Sequence, residues 1–441
     1  MKRVLSFAAI FLLAAVCVPF GFAQTKKQPS KQKAPAARAS VPADPQQALL
    51  QSAYDAIEKE DFQSAYPRLK KYLADKPDDA QAQFQFGFAC VKLGHNEEAE
   101  AAYRRAIELD PKMAAAYQNL GAFLVKSNPA EAKKYLATAA QLQPENADVI
   151  FLLGVADDGL NNLDGAIESY RKAAQARAND FTFRLTYAWA LLRVRKPADA
   201  EPEFRAALAL QPDASQAQLG LAECLNAQGK SQQAMDALRK YLQTQPNDHA
   251  TRVLLASLLF DADKTKESIA ELERAEKSGH QSLESWKLRA KILIRLRRFD
   301  EAIVVAQSIL KEQPASAEWH ARLGRLHLEK RNFPAAEAAL LAALKLDAAH
   351  SDALRDLVSV YYLGEKYEAA LGALDELERR EPADAGHWFV RANCLDRLGR
   401  KPEALAAYEK FVALDDNRNT DKNFQARARI QLLKRELERK R

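Results

Sequence analysis

The chain has 441 residues, of which 48% are hydrophobic and 28% charged, with a formal net charge of +6, 15 glycines and four cysteines. Sparse glycine and apolar residues at helical spacing, with no sustained period-two alternation, exclude a sheet-based fold, and widely scattered cysteines exclude a disulfide framework. The basic excess lies at the two ends and leaves no sustained basic stripe between them, which excludes nucleic acid as the partner.

The N-terminus is a module of its own. Lys2 and Arg3 precede the apolar run 4–18, which is followed by Pro19 and Gly21-Phe22-Ala23. This is the basic, apolar and small-residue order of a secretory signal peptide over 1–23, cut after Ala23, and it predicts export. An uncleaved anchor is the alternative, although the run is about 15 residues where a spanning helix needs roughly 20. Cys17 lies in AAVC, similar to a lipoprotein box, but Ala14 and Val16 depart from that pattern, so lipid anchoring is not expected. The mature sequence has no N-x-[ST] sequon, in keeping with a periplasmic or secreted protein of a bacterial envelope. Segment 24–45 carries Lys26, Lys27, Lys31, Lys33 and Arg38 against Asp44, with almost no large apolar side chain. It cannot offset its chain entropy by burial and is predicted to be a disordered basic linker.

From residue 46 onward a phrase recurs, as AAYRRAIELDP (101–111), ESYRKAAQARA (168–178), PEFRAALALQP (202–212) and AAYEKFVALDD (406–416). Its last slot falls at Pro77, Pro111, Pro144, Ala178, Pro212, Pro246, His280, Pro314, Ala348, Pro382 and Asp416, every 34 residues except for 33 between Pro111 and Pro144. Twelve residues before it stands alanine in every unit but one, where Ser268 takes its place. The eighth position is also small, with Val358 the exception. Four residues after the alanine slot comes a large apolar side chain in most units, such as Tyr103, Leu136, Tyr170 and Leu340. Small residues repeated on two helices mean backbones that cross closely, with the large side chains as knobs. Gly94, Gly229, Gly364 and Gly399 are suited to end a first helix, and Pro129, Pro197, Pro334 and Pro402 to begin a second. Pro67 and Pro202 fall inside second helices, where each removes one backbone hydrogen bond.

The pattern resembles the tetratricopeptide repeat family, whose 34-residue unit reads W-x2-L-G-x2-Y, A-x3-F, P. Tyr117, Leu120, Gly121, Leu124, Ala132, Leu136 and Pro144 match it in the third unit, and Trp388, Ala392, Leu395, Ala404 and Tyr408 in the eleventh. The resemblance covers 46–418 and implies an all-α fold, an α-solenoid forming a right-handed superhelix of about eleven helix-turn-helix units whose first helices line a concave groove. Residues 419–441 are predicted to form a basic capping helix with Ala426, Ile430, Leu433 and Leu437 on its apolar face.

No catalytic motif survives inspection, so no enzyme activity and no cofactor or metal is predicted. Gln228-Gly229-Lys230-Ser231 ends like a phosphate-binding loop, but Cys224 stands where the first glycine belongs. Asp415, Asn417 and Asn419 imitate the start of a calcium loop that Thr420 and Ala426 fail to complete. His320 and His327 lack further donors, and His327 takes a core-packing slot. Cys90, Cys224 and Cys394 read as small apolar filler.

If the family geometry holds, positions 2, 5, 9, 12 and 13 of each unit face the groove. Early units place Leu50, Tyr54, Phe84, Phe88, Phe151, Val155 and Trp189 there, and late units Lys287, Lys291, Arg325, Arg355, Phe389, Asn393 and Arg397. Single positions of this kind serve equally as packing, whereas a large contiguous apolar patch marks interaction. The expected ligand is a protein or peptide segment bound by a non-catalytic scaffold that aids assembly or secretion; the alternative is an envelope glycan stacked on the aromatics. No integral membrane span is expected in the mature chain.

Overall fold

The computed structural model describes residues 44–277, 279, 281–415 and 420–438, so the proposed signal peptide and nearly all of the linker lie outside the described residues. Among the described residues there are 23 helices and no strand, in two compact units that divide after Gln245. The first unit holds α1 (Pro45–Glu58), α2 (Phe62–Asp75), α3 (Ala80–Leu93), α4 (Asn96–Leu109), α5 (Ala114–Leu124), α6 (Pro129–Leu142), α7 (Ala147–Gly159), α8 (Leu163–Ala176), α9 (Phe181–Arg193), α10 (Pro197–Leu210), α11 (Ser215–Ala227) and α12 (Ser231–Thr244). The second holds α13 (His249–Asp261), α14 (Thr265–Lys277), α15 (Leu283–Arg295), α16 (Phe299–Glu312), α17 (Ala317–Glu329), α18 (Phe333–Leu346), α19 (Ser351–Leu363), α20 (Tyr367–Glu378), α21 (Ala385–Arg397), α22 (Lys401–Leu414) and α23 (Thr420–Glu438). Successive helices pair into eleven helix-turn-helix repeats followed by a last helix, as expected. Among the described residues no helix is long and apolar enough to cross a membrane.

The turn inside every repeat but the third obeys one rule. The fifteenth residue adopts the left-handed conformation, as Gly94, Gly229 and Gly399 at φ of +78°, +74° and +75°, and as Glu60, Asn161, Arg195, Asp263, Arg297, Arg331 and Glu365 at φ between +56° and +60°. It lets the sixteenth N–H reach back to the eleventh carbonyl, as in His95 N to Cys90 O (2.9 Å), Lys230 N to Leu225 O (2.8 Å) and Arg400 N to Leu395 O (2.9 Å). The third repeat accounts for the 33-residue interval: it lacks the left-handed residue, and Asn128 N bonds Leu124 O at 2.7 Å instead. Gly364 caps α19 in the right-handed region, and the left-handed place falls to Glu365. Pro129 and Pro197 open α6 and α10 at their first positions, while Pro67 and Pro202 lie inside α2 and α10 without ending them. Gly229 is an ordinary helix-to-helix turn, with Lys230 bound to Glu201 at 2.7 Å.

Knobs meet the small slots directly. A Cβ added at Gly154 would lie 2.7 Å from the Tyr170 ring, and at Gly121 2.5 Å from Leu136 Cγ; Gly87 and Gly324 face Tyr103 and Leu340 in the same way. The alanine slots from Ala65 to Ala404 are completely or almost completely buried, and Ser268, which replaces alanine once, satisfies its hydroxyl by donating to Ala256 O at 2.5 Å. Cys90, Cys224 and Cys394 are fully buried free thiols, and burial pushes them up to about 12, 12 and 11. On α23, Ala426 and Leu433 are fully buried against the last repeat, and Ile430 is half-buried.

Gly154→Ala is expected to cost about 1–3 kcal/mol because Tyr170 cannot move out of its buried slot. Gly372→Ala, whose Cβ would meet nothing within 4 Å in an exposed helix interior, is expected to gain about 0.5–1 kcal/mol. Urea denaturation of both variants checks the pair.

Candidate interaction surface

In both units the first helices of some successive repeats touch each other as well as their partners, while the second helices fan apart, so the first helices form the inner layer. The candidate residues lie on that layer in three conditions. Phe84 and Phe88 of α3 are half-buried: Phe84 is tilted against Tyr103 at 5.9 Å, and Phe88 stands edge-on to Phe62 at 5.7 Å with Lys92 Nζ 5.4 Å from its centre. Phe151 and Trp189 are core residues, 2% and 6% exposed. Phe151 stacks on Phe183 at 4.6 Å, and Trp189 stands against Phe204 at 5.2 Å, so aromatic neighbours have already taken their faces.

The cations of the second unit are also partly committed. Arg355 makes paired bonds to Glu381 at 2.9 and 2.6 Å and a third to Asp352 at 2.6 Å. Arg325 reaches Asp356 at 3.0 Å, and burial pushes the Asp356 carboxyl up even though Arg325 donates to it. Lys287 lies 3.6 Å from Glu284. Lys291 is exposed and makes no hydrogen bond or ion pair among the described residues. Asn393 donates to Phe389 O at 2.7 Å and accepts from the Tyr408 hydroxyl at 3.1 Å. It lines a cavity of about 440 Å³ with Phe389, Asp396, Arg397, Tyr408, Gln425 and Arg429, part of whose wall is supplied by the last helix.

The sequence reading passed over one residue of this layer. Glu223 occupies the ninth position of the sixth repeat, and burial alone pushes its carboxyl up to about 7. Its place in the repeat could have identified it; its desolvation could not be read without the packing.

This arrangement defines a helical-repeat interaction scaffold. Two models described as tetratricopeptide repeat match residues 121–181, 185–249 and 356–419, and 56–124, 225–292 and 293–359, and the chain belongs to that family. Protein O-mannosyl-transferase TMTC3 of Homo sapiens is 24% identical over 348 residues, which are 71% of this chain and 36% of that protein. DnaJ homolog subfamily C member 7 of Homo sapiens is 30% identical over 139 residues, 29% of this chain and 28% of that one. The chain thus spans well under half the length of either relative. Among solved structures, YrrB, described as a tetratricopeptide protein with an unusual peptide-binding site, is 24% identical with a TM-score of 0.38 over 44% of this chain and 97% of its own.

Glu223 carries a pH prediction. With its folded value raised above the ordinary carboxyl value of 4.5, the folded state holds a proton that the unfolded state releases, so stability falls as pH rises from about 4.5 through about 7. Glu223→Gln is expected to stabilise the protein by about 1–3 kcal/mol at pH 8 and to change little at pH 4, as thermal unfolding at the two values would read.

Proposed function

We propose that the protein is an exported, non-catalytic scaffold of the cell envelope that holds a peptide or protein segment against the inner layer of first helices. Export rests on the order of Lys2 and Arg3, the apolar run and Gly21-Phe22-Ala23. The observation that carries the binding reading is the inner layer itself, where half-buried Phe84 and Phe88 in one unit and exposed Lys291, Arg325 and Arg355 in the other occupy corresponding faces of first helices. Taken unit by unit, the aromatics of the first suit a segment that offers apolar side chains, and the cations of the second suit one that offers carboxylates.

Crosslinking in cells followed by identification of the captured segment supplies the partner, and the intact mass of the envelope form, expected to begin at Gln24, tests export. Exposed ion pairs contribute about 0–1 kcal/mol each. Lys287, Lys291, Arg325 and Arg355 neutralised together to Gln are therefore expected to weaken affinity for that segment about ten- to a hundredfold and to flatten its salt dependence. Neutralisation is preferable to charge reversal because Asp356 and Glu381 would repel a new carboxylate. A folded variant with unchanged affinity and salt slope would place recognition outside this layer.

A further inference from the structure

The turn rule sets the eleventh and sixteenth residues of nearly every repeat side by side. In the fourth repeat their side chains bond directly, Asn162 Nδ2 donating to Asp157 Oδ1 at 2.7 Å. In the second repeat the same two places hold Cys90 and His95. Cys90 stands in a slot that leucine fills in six of the other ten repeats (Leu124, Leu191, Leu225, Leu259, Leu293 and Leu395), and it sets a thiol beside the turn. His95 is the N-cap of α4 yet makes no side-chain capping bond, and its ring nitrogens have no hydrogen-bond partner among the described residues. Glu98, third in α4, approaches from the same turn. Its carboxylate accepts from the Tyr66 hydroxyl at 3.0 and 3.1 Å and from Lys70 Nζ at 3.3 Å, and the Tyr66 ring stands edge-on to His95 at 4.8 Å. One ligand atom from each of Cys90, His95 and Glu98 lies within 4.8 Å of the other two.

We propose that Cys90, His95 and Glu98 form a zinc site, with water as the fourth ligand. Thiolate, imidazole and carboxylate together suit zinc among the common divalent ions. Zinc–ligand bonds of about 2.0–2.3 Å require the three atoms to close by roughly 1 Å, within the reach of side-chain rotation. The ion deprotonates the Cys90 thiol, whose proton passes to solvent, and His95 binds neutral. Tyr66 orients the ligating carboxylate from outside the coordination sphere. Lys70, 57% exposed at its side chain, turns from Glu98 toward water and opposes the ion by its charge.

An ordinary ion pair is the competing account of Glu98. Arg298 with Glu301 and Arg400 with Glu403 pair the N-cap and third residues of their helices through hydrogen-bonded ion pairs with no metal ligand beneath them. The second repeat differs from these in placing a thiol under the pair.

The test uses the full chain stripped with a chelator and titrated with Zn²⁺ by calorimetry and with Co²⁺ by absorbance. One zinc per chain and a thiolate-to-cobalt charge-transfer band are expected. Both should be lost in Cys90→Ser and His95→Ala and retained in Cys224→Ser and Cys394→Ser. Tyr66→Phe is expected to lower affinity about 10- to 100-fold, and Lys70→Gln to raise it. Glu98→Gln, at a partly exposed position, gives the same reading should Cys90→Ser fail to fold. Absence of the thiolate band, or zinc binding undiminished in a folded Cys90→Ser or Glu98→Gln chain, overturns the proposal.

Discussion

Everything in this molecule depends on how closely the two helices of a repeat approach. Gly87, Gly121, Gly154 and Gly324 present no side chain where Tyr103, Leu136, Tyr170 and Leu340 press in, and the alanine slots keep the opposing backbone equally bare. Full burial of such a knob contributes about 1.5–3 kcal/mol. Because each repeat touches chiefly its neighbours, these contributions accumulate along a unit instead of collecting in one central core. A side chain added at such a slot meets a rigid ring or a branched leucine, so the approach cannot be loosened locally without moving a helix.

The turn is the second constraint, and it follows from the first. A close antiparallel pair needs a short reversal, and a left-handed fifteenth residue supplies it. Seven non-glycine side chains accept that conformation, at about 1–2 kcal/mol each, because the returning N–H then satisfies a carbonyl of the first helix. The third repeat dispenses with both by dropping a residue. Wherever the rule operates, it also brings two side chains from different helices together at a fixed place, and chemistry can be placed there without disturbing the packing.

The period and the small-residue slots fixed the helix pairs and the places of the turns in advance, and the spacing of Ala426, Ile430 and Leu433 fixed the last helix, because each is a local or nearest-neighbour property. The surface was legible only in part. Phe151 and Trp189 carry groove numbers, yet their rings are covered by Phe183 and Phe204, and a repeat position does not say how large its neighbours are. The distant partners of Arg325 and Arg355, Asp356 and Glu381, lie 31 and 26 residues further along the chain, where a local reading does not pair them. Glu223 and the Cys90–His95–Glu98 cluster were passed over for the same reason: burial and convergence across a turn are properties of packed helices, not of residue types.

The internal pairing has a consequence for the recognition proposed on the inner layer. A carboxylate arriving at Arg355 exchanges one bidentate partner, Glu381, for another, and one arriving at Arg325 displaces Asp356. The net gain is the difference between two similar interactions. At Lys291, which has no partner among the described residues to displace, the ligand keeps the whole of a new interaction. Affinity on this face is therefore expected to follow the least committed cation more closely than the densest cluster, with the paired arginines discriminating among ligands by geometry, since a planar fork accepts a second carboxylate only in a matching orientation.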